Sequence, residues 1–157
     1  MNRSLIAFGM ALACSGVPAP AAAQDLCAFI AKNGPAVFGT PLQAAAQCQR
    51  QGDLLNTGAA NNATGSDRLE LYIANVPGVE MVLDGVRRDS REDRVISDEP
   101  ALGKGALLER TDKGRTAVLH FADRGRYLRV SIRARNGLND AYVARARQLA
   151  QALKGAS

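Results

Sequence analysis

The 157-residue chain contains one histidine, His120, and three cysteines, Cys14, Cys27 and Cys48. A closed zinc site takes about four ligands, so two cysteines and one distant histidine do not supply one, and no metal is expected. The signatures of the common catalytic and cofactor sites are missing too. There is no Gly-x-x-x-x-Gly-Lys-Ser/Thr to cradle phosphates, no His-Glu-x-x-His and no Gly-x-Ser-x-Gly. Gly103-Lys104-Gly105 is a fragment of a glycine-rich loop and reads as a tight lead-in to a strand near Gly105. The expectation is therefore no enzyme and no cofactor. Beyond residue 17 no apolar run free of charge approaches the ~20 residues a membrane helix needs, so no integral membrane segment is expected in the mature chain.

What is present at the N-terminus reads as an export signal. Asn2-Arg3-Ser4 is polar and positive, Leu5 to Val17 is largely apolar, and Ala21-Ala22-Ala23 offers the small residues a signal peptidase requires. Residues 1–23 are thus read as a signal peptide and 24–157 as a single exported domain, periplasmic or secreted. Leu12-Ala13-Cys14-Ser15 also resembles a lipobox, which would make the protein a lipoprotein through Cys14; Ala11 stands where that motif usually has leucine, and the plain signal is preferred. Either route leaves Cys27 and Cys48 as a pair in an oxidising compartment, where a disulfide is expected. Closing a loop of about 20 residues stabilises by roughly 3 kcal/mol in the chain-entropy description.

Along the mature chain, Leu26, Phe29 and Ile30 space a short helix over 25–32 that ends near Asn33-Gly34-Pro35. Thr40-Pro41-Leu42-Gln43 carries cap and capping-box signals, predicting a second helix that stops near Gly52 and is tied to the first by the bridge. Residues 56–66, small and polar without period, read as a flexible loop. Leu69, Leu71 and Ile73 alternate with polar neighbours as on a half-buried strand, and Val79, Val82, Leu83 and Val86 space a helix. Residues 87–99 mix charges of both signs, with Asp89, Glu92 and Asp93 among Arg88, Arg91 and Arg94, and read as ion-paired solvated surface. A closing helix over 139–154 carries the stripe Leu138, Tyr142, Ala146, Leu149 and Leu153.

Two hairpins lie between. With Arg124-Gly125 as a two-residue turn, Phe121 faces Leu128 on the core side and His120 faces Arg129 on the polar side. The guanidinium opposite disfavours the imidazolium and the register places no Ser, Cys, Asp or Glu to form a catalytic set with His120, so the ring is expected to be neutral, partly exposed and not catalytic. With Lys113-Gly114 at the preceding tip, Leu108 and Ala106 reach the apolar face beside Leu119 and Phe121. The fold class expected is α+β, an antiparallel sheet of about four to five strands with helices packed on one face, the C-terminal helix among them.

Charge is unevenly spread. Residues 24–109 hold 8 Lys/Arg against 12 Asp/Glu, and residues 110–157 hold 11 against 3. Arg129, Arg133 and Arg135 fall on the polar face of the last strand with Tyr127 beside them, and these four are the candidate ligand-binding residues. Such a ladder suits an anionic polymer or an acidic protein of the cell envelope; nucleic acid is the least favoured polyanion. The plain alternative is that the arginines keep a sheet soluble and its edge unpaired.

The segments "DLCAFI", "FGTPLQ" and "QCQRQ", then "PALGKGALLE", "GRYLRVSI" and "ARQLAQAL", together resemble small exported bacterial proteins and lipoproteins of unknown function. Those proteins have a paired-cysteine N-terminal region and a Gly-Leu-Gly-Asp-like start to a strand, where Ala101 and Lys104 depart from the commoner Gly and Asp. The resemblance implies an α+β envelope domain and supplies no catalytic residues. The leading expectation is a non-enzymatic exported binding or interaction protein. Next come a subunit or inhibitor acting through the open sheet face, and an enzyme with an unrecognised site near His120. The signal predicts that the exported form begins at Gln24; its intact mass checks this, and a lipid on Cys14 would refute it.

Overall fold

The structure is a computed structural model and describes residues 25–89 and 91–156. The signal segment and Cys14 lie outside the described residues. Helix α1, Leu26–Phe38, starts where the Asp25 carboxylate accepts from the Cys27 and Ala28 amides at 2.9 and 3.2 Å. It does not stop at Gly34-Pro35 as expected. Val37 and Phe38 continue its buried stripe, and Gly39, at φ 72°, ends it by donating to the Pro35 carbonyl. Three antiparallel strands follow: β1 Gln47–Gln51, β2 Leu55–Asn61 and β3 Asp67–Asn75. Then come α2 Val79–Arg88, β4 Val95–Asp98, β5 Leu107–Thr111, β6 Thr116–Asp123, β7 Arg126–Ala134 and α3 Asp140–Ala156.

The sheet has seven antiparallel strands in the order β1-β2-β3-β7-β6-β5-β4, more than the four to five expected. Two of the additional strands come from segments misassigned above. The capping signals at Thr40 do not produce a helix, because residues 47–51 pair with β2 and the bridge fixes Cys48 under α1, with Cα atoms 5.9 Å apart. The disulfide therefore joins a helix to a strand. Residues 55–61, expected as loop, are β2, and their smallness has a packing cause. A Cβ on Gly58 would lie 2.6 Å from Ile30 Cδ1 and 3.2 Å from Cys48 Sγ, so α1 rests on backbone there. A further strand, β4, lies inside the charged run over 87–99, which also buries Glu99.

Helices α1 and α3 cover one face, where Leu26, Ile30, Leu69, Leu71, Phe121 and Leu128 form the main core with Leu149 and Leu153 of α3. The expected C-terminal stripe shifts slightly: Val143 and Ala150 are buried in it, and Tyr142 sits at its edge with its hydroxyl donating to Asp67 at 2.6 Å. Helix α2 does not join them. It lies on the opposite face, where Val79 and Leu83 pack on Tyr127 next to Tyr72 and Ala122. The hydrophobic stripe of a helix specifies that it is buried, not against which side of a sheet.

The expected register of the last hairpin is observed, with Phe121 opposite Leu128 and His120 opposite Arg129 across Arg124-Gly125, whose φ values of 49° and 75° make the two-positive-φ turn that suits a twisted hairpin. Leu108 likewise faces Leu119. Phe121 is fully buried, so Phe121→Ala should destabilise the fold by about 3–5 kcal/mol through lost contacts and a cavity. Urea unfolding measures this, and a loss within about 1 kcal/mol would mean that the core is built elsewhere.

Candidate functional site

The face that α2 partly covers is polar by register. One transverse row across the strands reads Gln49, Thr57, Tyr72, Arg129, His120 and Leu107; the next reads Gln47, Ala59, Glu70, Ser131, Val118 and Glu109. His120 is central to this face. It is 5% exposed, not partly exposed as the sequence suggested, and both its ring nitrogens are engaged. Nε2 lies 2.8 Å from Glu109 Oε2 and Nδ1 lies 2.6 Å from the Tyr127 hydroxyl. Neither partner is directly opposite His120. Glu109 faces Val118 and Tyr127 faces Ala122, so each reaches the ring along a diagonal of the sheet.

Glu109 has a second partner. Arg94, with a side chain only 3% exposed, donates from Nη2 to Glu109 Oε2 at 2.6 Å and from Nη1 to Asp89 Oδ2 at 2.6 Å. Arg91 also reaches Asp89, at 3.1 Å. Part of the run expected to be solvated thus folds onto the sheet and places a buried guanidinium on its polar face. Burial works to raise the Glu109 carboxyl, but the hydrogen bonds and charges of Arg94 and His120 outweigh it and hold its pKa below the ordinary 4.5. For His120 burial dominates. Aided by the charges of Arg129 and Arg94, it lowers the ring below its ordinary 6.5, against the pull of Glu109. At neutral pH the ring is therefore uncharged. An ionised carboxylate can only accept, so Nε2 carries the proton and Nδ1 accepts from Tyr127 O–H. Burial also pushes the Tyr127 phenol up to about 12.

Arg129 differs from every other cation on this face. Its guanidinium lies 5.0 Å from the centre of the Tyr72 ring, and among the described residues it has no carboxylate partner. Its Nε is buried without a hydrogen-bond acceptor, as is Nε of Arg94. It stands between two cavities. One, of about 480 Å³, is open over β1–β3 and is bounded by Gln49, Thr57, Arg68, Glu70 and Tyr72. The other, of about 420 Å³, lies beneath α2 and is walled by Val86, Arg94, Glu109, Val118, His120 and Tyr127.

Of the four candidate residues, Tyr127 and Arg129 are brought together here, although Tyr127 is 8% exposed and presents a ring edge, not a surface. Arg133 is exposed near the far end of the same strand and lies 3.5 Å from Asp112. Arg135 falls beyond the end of β7, in the turn before α3, so it is no rung of a ladder. The residues that the sequence reading missed are Glu109 and Arg94. Glu109 was within its reach, since the register that pairs Leu108 with Leu119 also puts Glu109 on the His120 face. No group of three or more His, Cys, Asp and Glu side chains is gathered for a metal among the described residues. No protein-family model, curated protein or solved structure matches the chain.

Removing the imidazole leaves the Glu109 carboxylate and the Tyr127 hydroxyl each short of a buried partner. His120→Ala should therefore cost about 1–3 kcal/mol. The pH dependence has a definite sign. The unfolded ring binds a proton near 6.5 whereas the folded ring resists it, so stability declines as pH falls below 6.5. The unfolded Glu109 takes a proton near 4.5 before the folded carboxyl does, which extends the decline. Unfolding curves from pH 8 to 4 should show this slope, with its upper part absent in His120→Ala; an unchanged slope would refute the assignment.

Proposed function

We propose that the protein is a non-enzymatic exported binding domain that takes an anionic group on the α2-side face of its sheet, with Arg129 as the principal contact. The observation that carries this reading is Arg129 itself, a half-buried cation stacked on Tyr72, bordering two cavities and lacking an acidic partner among the described residues. The cation–π contact with Tyr72 favours one position of the guanidinium, and its fork of N–H groups suits paired hydrogen bonds to an oxyanion. Export is supported by the Cys27–Cys48 disulfide, and no helix of the described residues is long and apolar enough to cross a membrane.

A catalytic reading has one observation in its favour, the continuous chain from Arg94 through Glu109 and His120 to Tyr127. The chemistry of that chain favours binding. A phenol pushed up to about 12 is neither a base nor a nucleophile at neutral pH, and an imidazole with both nitrogens engaged has no free lone pair for a substrate. The network reads as a rigid wall beside Arg129.

Calorimetric titration with acetate, benzoate, inorganic phosphate and dextran sulfate tests the proposal. At least one should bind, with affinity falling as salt rises, since charge attraction is screened over about 8 Å at physiological ionic strength. Arg129→Gln should weaken that binding about tenfold or more, in line with loss of ~1.5–3 kcal/mol for a charged hydrogen bond. Binding by none of the four, or equal binding by the variant, would overturn the reading.

A further inference from the structure

The two cavities beside Arg129 differ in a way that specifies the ligand. Over β1–β3 the other cation, Arg68, is already held by Glu70 at 2.6 Å, and the floor is of amides and hydroxyls open to solvent. Beside α2 the walls carry more charged groups. Three cations, Arg91, Arg94 and Arg129, meet two carboxylates, Asp89 and Glu109, while His120 is neutral. One positive charge is left over, and it is Arg129. Of three guanidinium Nε–H groups buried without acceptors among the described residues, those of Arg94, Arg129 and Arg145, the first two belong to residues that line this cavity. Buried donors of this kind are rare in folded proteins and call for an acceptor. Val86, Val118 and the ring of Tyr127 supply apolar wall on the same cavity.

We infer that the cavity between α2 and the sheet binds a small organic monocarboxylate, its carboxylate between Arg94 and Arg129 and its apolar body against Val86, Val118 and Tyr127. One excess charge matches a monoanion. A dianion would leave a buried negative charge beside the Glu109 carboxylate, which burial in low dielectric makes costly. A volume of about 420 Å³ exceeds what a bare two-carbon acid fills and lies within the range of small-molecule sites. A carboxylate suits the guanidinium fork of Arg129, which lies over the Tyr72 ring. The end of α2 borders this cavity on one side through Gly85 and Val86, and the choice of a small monoanion rests on the single excess charge, so the inference narrows the anion-binding reading on which it rests.

His120 is the chain's single histidine and forms part of the cavity wall, so its imidazole NMR signal reports on this cavity without further labelling. Titrating the exported protein with benzoate should move that signal saturably, at lower concentration than acetate does. Arg129→Gln should stay folded and need at least tenfold more benzoate, the titration being read from the variant's own free His120 signal, since the Arg129 charge acts on that ring. A double variant, Arg133→Ser with Arg135→Ser, should titrate like the wild type. Dextran sulfate binding that Arg129→Gln weakens and the double variant keeps, with benzoate leaving His120 unmoved, would overturn the pocket and leave the anion-binding reading standing. Phosphate binding tenfold tighter than benzoate would overturn the carboxylate assignment alone. If no anion binds, both readings fall.

Discussion

The pairing of β3 with β7 is the contact on which the rest of the molecule depends. Each flank of the sheet is a local meander, β1-β2-β3 on one side and β4-β5-β6-β7 on the other, with strands that find their neighbours in sequence. Only β3 and β7 pair across a long stretch of chain, from Asp67 opposite Ala134 to Asn75 opposite Arg126. Closing that loop is entropically unfavourable before any contact forms, and it is compensated by the core rungs Leu69–Ile132, Leu71–Val130 and Ile73–Leu128. The same register sets the other face. With Leu71 against Val130, Tyr72 must lie against Arg129, so the stacked guanidinium follows from the core packing on the reverse side. A slip of one residue would bury Arg129 and expose Leu128 and Val130, which the hydrophobic core forbids.

Folding also offsets part of the charge segregation of the sequence. The basic C-terminal part meets acids from the earlier part: Arg147 reaches the buried Glu99 at 2.7 Å, and Tyr142 and the Arg135 amide share Asp67. Within the C-terminal part, Asp112 serves both Arg115 and Arg133, and Asp140 serves Arg110. A surplus of arginines counted along the chain is therefore not a basic stripe in space. The face narrows to one cation whose surroundings do not neutralise it.

How much of this was legible depends on the range of the information. The hairpin register was, because Arg124-Gly125 is a two-residue turn and a turn of fixed length leaves one pairing. The partners of His120 were within the same reasoning, since Glu109 and Tyr127 occupy diagonals of registers already fixed; looking only at direct opposites concealed them. The strands β1 and β2 were not, because Gly58 and Ala60 are small to let α1 approach, and a strand of small residues shows no alternation. Nor was Arg94 legible. It sits in a run whose composition suits solvent, and only the three-dimensional course after α2 carries it to Glu109. The side taken by α2 was equally hidden, as Val79 and Leu83 require a covered surface and either face of the sheet could offer one.

The position of Arg129 distinguishes binding from simple solubility. An arginine that keeps a sheet soluble extends into water at its rim, as Arg133 and Arg135 do. Arg129 is in the central pair of strands, half covered, with one nitrogen cut off from solvent. Taking a guanidinium out of water is costly, and stacking on Tyr72 offsets it by about 0.5–2 kcal/mol. A carboxylate could have been placed at Ser131 or Thr57 to complete the compensation, and Glu109 and Glu70 show that this face accommodates one. Both nearby carboxylates are instead committed to other cations, Glu70 to Arg68 and Glu109 to Arg94. The arrangement thus preserves an unneutralised cation over the Tyr72 ring at the border of two cavities, a condition that an incoming anion relieves.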